Sequence, residues 1–452
     1  MKLLDINNWY TSYQDQDSFI YSTFPNSTYN DISSGINRLP IVELYTKQYH
    51  KEVDTTAFIT QYEMLEHPLL HKALEYYEKF TSGAYNNKYL EYGNHICLTN
   101  GATSAIASLF EYMHGTEKER AIILLGYHYF LFAVLARHYG FSYTTLVCNS
   151  ENFNLPILSQ IETAFNNIKG RYVFLTVPSN PSGEIYTKTE MMQLIRLVLK
   201  YDKILVIDKC LWDDVTFQYH KDYYSISKLL IEENAVSNTI IIHSFSKIRG
   251  IPGVRFGYIL ANENLVKFTK YYLEKLYCMS NMTHILSLAI DLFFQTILLC
   301  HEIDINVLIK RFRHIILESM VKKETQQILF DFLKSYEGEL TSYHNILLSN
   351  NLQMKNNFCK TKQIFSTNEF VNFTDMKTGF NFCMVYSNPS ELQERKYIAD
   401  IAEKLRSRIY TQFNFCANMP RRSIWFRISC ANDNDKNYFE KMQQLEKILR
   451  PN

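Results

Sequence analysis

Three short runs in the middle of the chain constrain the fold most. Residues 171–177 (Arg-Tyr-Val-Phe-Leu-Thr-Val), 203–207 (Lys-Ile-Leu-Val-Ile) and 238–243 (Asn-Thr-Ile-Ile-Ile-His) are nearly unbroken in aliphatic and aromatic residues. A strand with one wet face alternates apolar and polar residues, whereas a continuous apolar run needs both faces covered. Between the first two runs, residues 189–201 carry helical spacing. Buried strands separated by helices predict a parallel sheet with helices on both faces. Such sheets place ligands at the carboxyl ends of their strands. The polar residues just past those ends are Asn180, Asp208 and Lys247.

The C-terminal third has another pattern. Residues 307–348 read as mostly helical, 349–367 as a polar loop, 380–386 and 423–429 as strands, and 435–449 as a terminal helix. That mixture predicts a smaller α+β domain. The first fifty residues have no strong period and are expected to pack on it. At about 100–200 residues per domain, 452 residues allow two or three. The expected division is an N-terminal segment at 1–55, a large ligand-binding α/β domain at 56–305 and a small domain at 306–452.

Charge and cysteine content narrow the function. Lys+Arg number 47 and Asp+Glu 46, so the net charge of +1 gives no sequence-independent pull on nucleic acid or anionic lipid. The nine cysteines are odd in number and form no C-x-x-C pair, which points to a reducing compartment. The N-terminus lacks the apolar stretch of a signal peptide. The apolar runs 121–136 and 284–300 fall short of the roughly 18–20 residues a membrane span needs. A cytoplasmic protein without membrane or nucleic-acid partners is the expectation.

The most informative stretch is Ser244-Phe245-Ser246-Lys247-Ile248-Arg249-Gly250-Ile251-Pro252-Gly253-Val254-Arg255-Phe256-Gly257. A lysine just past a buried strand can sit in a partly apolar pocket, where desolvation frees a neutral amine. Ser244 and Arg255 could together hold a phosphate. The same letters also suit a surface loop with a solvated lysine. Asp208 could pair with a pyridinium nitrogen or simply cap a helix. The Val177–Gly183 turn offers the Asn180 amide, and Asn100-Gly101-Ala102-Thr103 opens a helix N-terminus suited to phosphate or to ordinary capping.

Taken in order and interval, Asn-Gly-Ala-Thr at 100–103, Asn-Pro-Ser-Gly at 180–183, Asp208 and the Ser-Phe-Ser-Lys…Gly-x-Arg block resemble the class I/II aminotransferases of the pyridoxal-phosphate fold-type I superfamily. The resemblance implies pyridoxal 5′-phosphate as cofactor, with Lys247 as the Schiff-base lysine and the base at the substrate Cα. It implies Asp208 at the ring nitrogen and Asn180 at the ring O3′. Ala102, Thr103, Ser244 and Arg255 would hold the phosphate, and Tyr129 would stack on the ring. Ser-Ile-Trp-Phe-Arg-Ile-Ser at 423–429 resembles the family's late strand, making Arg427 the anchor for the substrate carboxylate, with Asn180 beside it. Gly35 would close over the substrate. Tyr62 would reach the phosphate of a neighbouring subunit, implying a homodimer with a shared site.

The sequence departs from the family where Asp-Glu-x-Tyr becomes Asp208-Lys209-Cys210-Leu211. Leu211 cannot donate to O3′, so the Schiff base is expected to stay protonated to higher pH. The main expectation is amino-group transfer between an amino acid and a 2-oxo acid. Elimination, cyclisation, decarboxylation or oxidation of an amino acid is the alternative, and a non-catalytic binding protein is a third. A metal site is not expected: His67 and His71 stand four apart but without the H-E-x-x-H glutamate. Trp212, Arg249, Tyr258 and the aromatics at 127–132 are candidate rim residues for the substrate side chain.

Overall fold

The computed structural model describes residues 37–46, 67–83, 94–147, 155–277, 284–319, 321–387, 401, 410–414, 423–431 and 435–450. Gly35 and Tyr62 lie outside these residues. A seven-stranded sheet is built from β1 (Ile96–Thr99), β2 (Ala121–Leu125), β3 (Ser142–Leu146), β4 (Tyr172–Thr176), β5 (Ile204–Asp208), β6 (Thr239–Ser244) and β7 (Gly257–Leu260). Its order is β1-β7-β6-β5-β4-β2-β3. β7 is antiparallel to both neighbours, and the other paired strands run parallel.

The continuous apolar runs do what their composition requires. Alternate residues of one strand enter opposite cores: Val173, Leu175, Leu205, Ile207 and Ile241 join one cluster. Tyr172, Phe174, Val206, Ile240 and Ile242 join the other. Leu205, Val206 and Ile207 are fully buried, at about 1.5–3 kcal/mol for each large side chain. Helices close the faces. Lys188–Lys200 begins with a capping box, in which Thr187 accepts from the Glu190 N–H and Glu190 accepts from the Thr187 N–H. Ile285–Leu299 is buried along most of its length, including Asp291. No described helix is long and apolar enough to cross a membrane.

A second, antiparallel sheet holds β8 (Val371–Phe373), β9 (Asn381–Tyr386), β10 (Tyr410–Asn414) and β11 (Ser423–Ser429), in the order β10-β11-β9-β8. The terminal helix Asp435–Leu449 supplies Tyr438, Met442 and Leu445 to its core. The polar loop expected at 349–367 is instead mostly helix, because Lys323–Ile364 runs on with one non-helical residue at Ser335. Its polar residues are part of the packing. Asn357 Nδ2 donates to the Cys430 carbonyl at 2.8 Å, and the Thr361 hydroxyl meets Tyr438 Oη at 2.9 Å.

Residues 37–45 bridge the two parts rather than packing on the small one alone. The Arg38 N–H donates to the Ala431 carbonyl at 3.0 Å, and Asn350 Nδ2 donates to the Pro40 carbonyl at 2.8 Å. From the large part, the Ser287 hydroxyl donates to the Leu44 carbonyl at 2.9 Å.

Candidate active site

The carboxyl ends of β1, β2, β4, β5 and β6 converge. β5 ends on Asp208, 5 % exposed, whose Oδ1 accepts the Cys210 N–H at 3.1 Å. Burial pushes the Asp208 carboxyl up, opposed by hydrogen bonding from Cys210 and by the Lys247 charge. β6 leads into the short helix Phe245–Ile248, which carries Lys247. Burial first, then the Arg427 guanidinium, holds the Lys247 ammonium below its ordinary value. A buried carboxylate and a lysine biased toward the neutral amine thus face one space.

The far end of that space is built for an anion. Gly101, at φ +78°, precedes the helix Ala102–Thr116, and no side chain caps that helix. Its first N–H groups are donors of the kind that bind phosphate. Arg255 lies against them, itself left-handed at φ +58°. Its Nη2 donates to the Asn100 carbonyl at 3.0 Å and its Nη1 to the Pro252 carbonyl at 3.1 Å. A Cβ on Gly101 would fall 2.8 Å from Arg255 Nη2, so glycine lets the guanidinium approach. Ser244 is engaged locally. Its Oγ lies 2.9 Å from both Ser246 Oγ and the Phe256 carbonyl, and it accepts the Ser246 N–H.

Tyr129 stands at the start of the helix Phe130–His138. Burial raises its phenol, a hydrogen bond with Thr103 opposes that, and Asp208, Cys210 and Arg255 all act on it. Tyr129 is therefore among the groups brought together. From the small sheet, Arg427 Nη1 donates to Asn180 Oδ1 at 3.4 Å.

Three expected rim residues are elsewhere. Trp212 and Tyr258 are fully buried and Arg249 is 3 % exposed. Trp212 Nε1 donates to Asp214 Oδ1 at 2.9 Å, and Tyr258 Oη to Glu78 Oε1 at 2.6 Å. Arg249 pairs with Asp291 and Asp213, each at 3.2 Å, and Asp291 also accepts from Tyr45 and Tyr343 at 2.9 Å. Tyr127 is buried against Cys383 and Val385. Trp212 Nε1 and Tyr258 Oη thus spend their polar atoms on buried acids, and Arg249 its charge on two aspartates, away from any rim.

Cys210 was missed in the sequence. Burial pushes its thiol well up, the Asp208 carboxylate raises it further by charge and hydrogen bonding, and Lys247 opposes both. Its position two residues past Asp208, in the turn that leaves β5, was the available signal. Leu211 has no donor and packs with Leu39, Phe380 and Ala431. Lys209, where the familiar pattern has an acid, is buried and pairs with Asp214 at 2.7 Å.

The donor set fits pyridoxal 5′-phosphate. The Gly101–Arg255 cradle suits a phosphate, the buried Asp208 a cationic ring nitrogen, and Lys247 an aldehyde between them. Comparisons with known proteins agree. The family model for aminotransferase class I and II matches residues 46–444. A histidinol-phosphate aminotransferase of Buchnera aphidicola subsp. Cinara cedri is 26% identical over 129 residues, 27% of this chain and 34% of that protein. The 1-aminocyclopropane-1-carboxylate synthase 3 of Solanum lycopersicum is 27% identical over 198 residues, 42% of each chain. The matched region thus spans well under half of these relatives. Among solved structures, aspartate aminotransferase from Thermotoga maritima aligns at TM-score 0.65 and 14% identity, covering 97% of this chain and 96% of that one. N-Succinyldiaminopimelate aminotransferase from Mycobacterium tuberculosis aligns at 0.66 and 13%, covering 96% of each. At such identities these structures speak to the fold.

Proposed function

The chain belongs to the class I and II aminotransferases, and from that premise we propose that it moves an amino group between an amino acid and a 2-oxo acid, using Lys247 as its amine. The family is pyridoxal-phosphate dependent, and so is this chain. When bound, the cofactor supplies an electron-withdrawing ring that loosens the bonds to the substrate Cα. The observation carrying the proposal is the convergence of Lys247, Asp208, Asn180 and Arg427 on one space beside the Gly101–Arg255 cradle.

In this reading each side chain has one task. Ala102 and Thr103 at the helix N-terminus, with Arg255, hold the phosphate, and Ser244 supports them by fixing the turn at Ser246. Tyr129 covers one face of the site and is oriented by Thr103. Asp208 keeps a positive charge at the ring nitrogen, facing its buried carboxylate. Arg427 takes the substrate carboxylate as a charge-assisted fork, with Asn180 alongside. Lys247 Nζ, biased toward the neutral amine, accepts the proton from the substrate Cα and would pass it to the cofactor carbon that comes to bear the amine. Assembly as a homodimer, with Tyr62 reaching the second site and Gly35 closing over the substrate, belongs to the same proposal.

A second reading, elimination or cyclisation of an amino acid, is favoured by Leu211 and by the likeness to the tomato synthase. One experiment separates them. Purified protein loaded with pyridoxal 5′-phosphate is mixed with single amino acids and followed in the visible. Amino transfer predicts loss of the long-wavelength band, its recovery on adding a 2-oxo acid, and no response in Lys247→Ala. Continuous product release without loss of the band would favour the second reading.

A further inference from the structure

Asn381 opens β9 and is 2 % exposed, yet among the described residues neither Oδ1 nor Nδ2 has a hydrogen-bond partner. A buried primary amide offers two donors and an acceptor, and folded proteins rarely leave all of them unmade. Its neighbours say which way it looks. β9 and β11 pair Asn381 with Ser429 and Cys383 with Arg427, so these four residues share one face of the small sheet. The other face, with Phe382, Met384, Phe426 and Ile428, is the small core.

The Asn381 face turns toward the site. Cys383 and Val385 pack on Tyr127 of the large part. Arg427 reaches Asn180. A Cβ on Gly183 would fall 2.3 Å from the Asn381 carbonyl oxygen, so the 180–183 turn runs directly along the start of β9. Asn381 therefore sits one register step from the Arg427 pair, about 7 Å along the strand. That is within reach of the side chain of an amino acid whose carboxylate is held at Arg427.

We infer that Asn381 is a specificity-determining residue that hydrogen-bonds a neutral polar group on the substrate side chain, an amide, a hydroxyl or an imidazole. The inference rests on the proposed reading of Arg427 as carboxylate anchor. A neutral group is indicated because an amide carries no charge to balance a buried ion, whereas it matches a donor–acceptor partner on both its atoms. A site built to hydrogen-bond a substrate group rejects analogues lacking it, since its own polar atoms are then left unpaired.

The test compares near-isosteric donors, asparagine with leucine, glutamine with methionine, threonine with valine and histidine with phenylalanine, in wild type and Asn381→Leu. Loading is checked independently by borohydride trapping of the cofactor on Lys247 and by thermal melting. Wild type is expected to favour the polar member of at least one pair by tenfold or more in kcat/KM. In Asn381→Leu that preference falls about tenfold, the trapped adduct persists, and the melting temperature is equal or higher because an unpaired amide has gone. An unchanged ratio in a folded, loaded variant overturns the inference and leaves amino transfer standing. A wild-type preference for the apolar member of every pair overturns it too, even where the variant does not fold. A marked loss of stability in the variant, with no wild-type discrimination, would make Asn381 the holder of a structural water instead. A trapped adduct with no response to any amino acid removes the functional reading itself.

Discussion

Arg427 Nη1 donates to Asn180 Oδ1 at 3.4 Å, so a strand of the small sheet and the turn after β4 meet through two side chains in one space. In the proposed reading both receive the substrate carboxylate. Arg427→Met removes the charged fork, and with it one of the influences that hold the Lys247 ammonium down. Hydrogen bonds to charged groups contribute about 1.5–3 kcal/mol, so apparent affinity for amino acid and 2-oxo acid should fall about 10- to 150-fold. Titrating the cofactor spectrum with substrate measures this; cofactor affinity should change little.

Asp208 makes a prediction about the cofactor-free protein. Its carboxyl is raised by burial, so its folded pKa exceeds its unfolded one. The stability it contributes is complete below the unfolded value and is lost as pH rises through the folded one. Asp208→Asn removes that loss while keeping an acceptor for the Cys210 N–H. At neutral pH the cofactor-free variant should melt at or above wild type, yet bind pyridoxal 5′-phosphate more weakly. A lower melting point would contradict the argument.

Arg249 predicts a stability effect. Its guanidinium is sealed between Asp213 and Asp291, two residues beyond Lys247. Removing one partner of a buried ion pair costs about 3–5 kcal/mol. Urea unfolding of Arg249→Met and Asp291→Asn should show losses of that order. The double variant should lose less than the sum, because each single change strands the other charge.

Buried His243 and half-buried His67 and His128 predict a loss of stability in acid. Burial lowers His67 and His128 to about 4, and His243 well below its ordinary value, with Lys209 and Arg249 adding to burial at His243. Their folded values lie below the unfolded value of about 6.5. The stability they contribute is present above that value and is lost as pH falls from about 6.5 through about 4. Melting temperatures across this window should drop, and His128→Gln should flatten the drop.

The strand ends were legible because continuous apolar runs have few other uses. The ends expected at Val177, Ile207 and His243 lie within one residue of those found. Asp208 and Lys247 were noticed because they stand just past those ends, whereas Arg427 came only from the resemblance of residues 423–429 to the family's late strand. What was not legible depends on partners distant in sequence. The helix through 349–364 looked like a loop because its amides and hydroxyls answer groups on Cys430 and Tyr438. Arg249 looked like a rim residue because Asp291, 42 positions on, cannot be paired with it from sequence. Asn381 drew no notice because nothing in its local pattern marks an amide left without a partner.

The central claim is that the Lys247 amine carries the cofactor aldehyde. Protein incubated with pyridoxal 5′-phosphate, reduced with borohydride and digested should yield a single pyridoxyl-lysine peptide containing residue 247, absent from Lys247→Ala. Recovery of the label on another lysine, or of no label from folded protein, would contradict it.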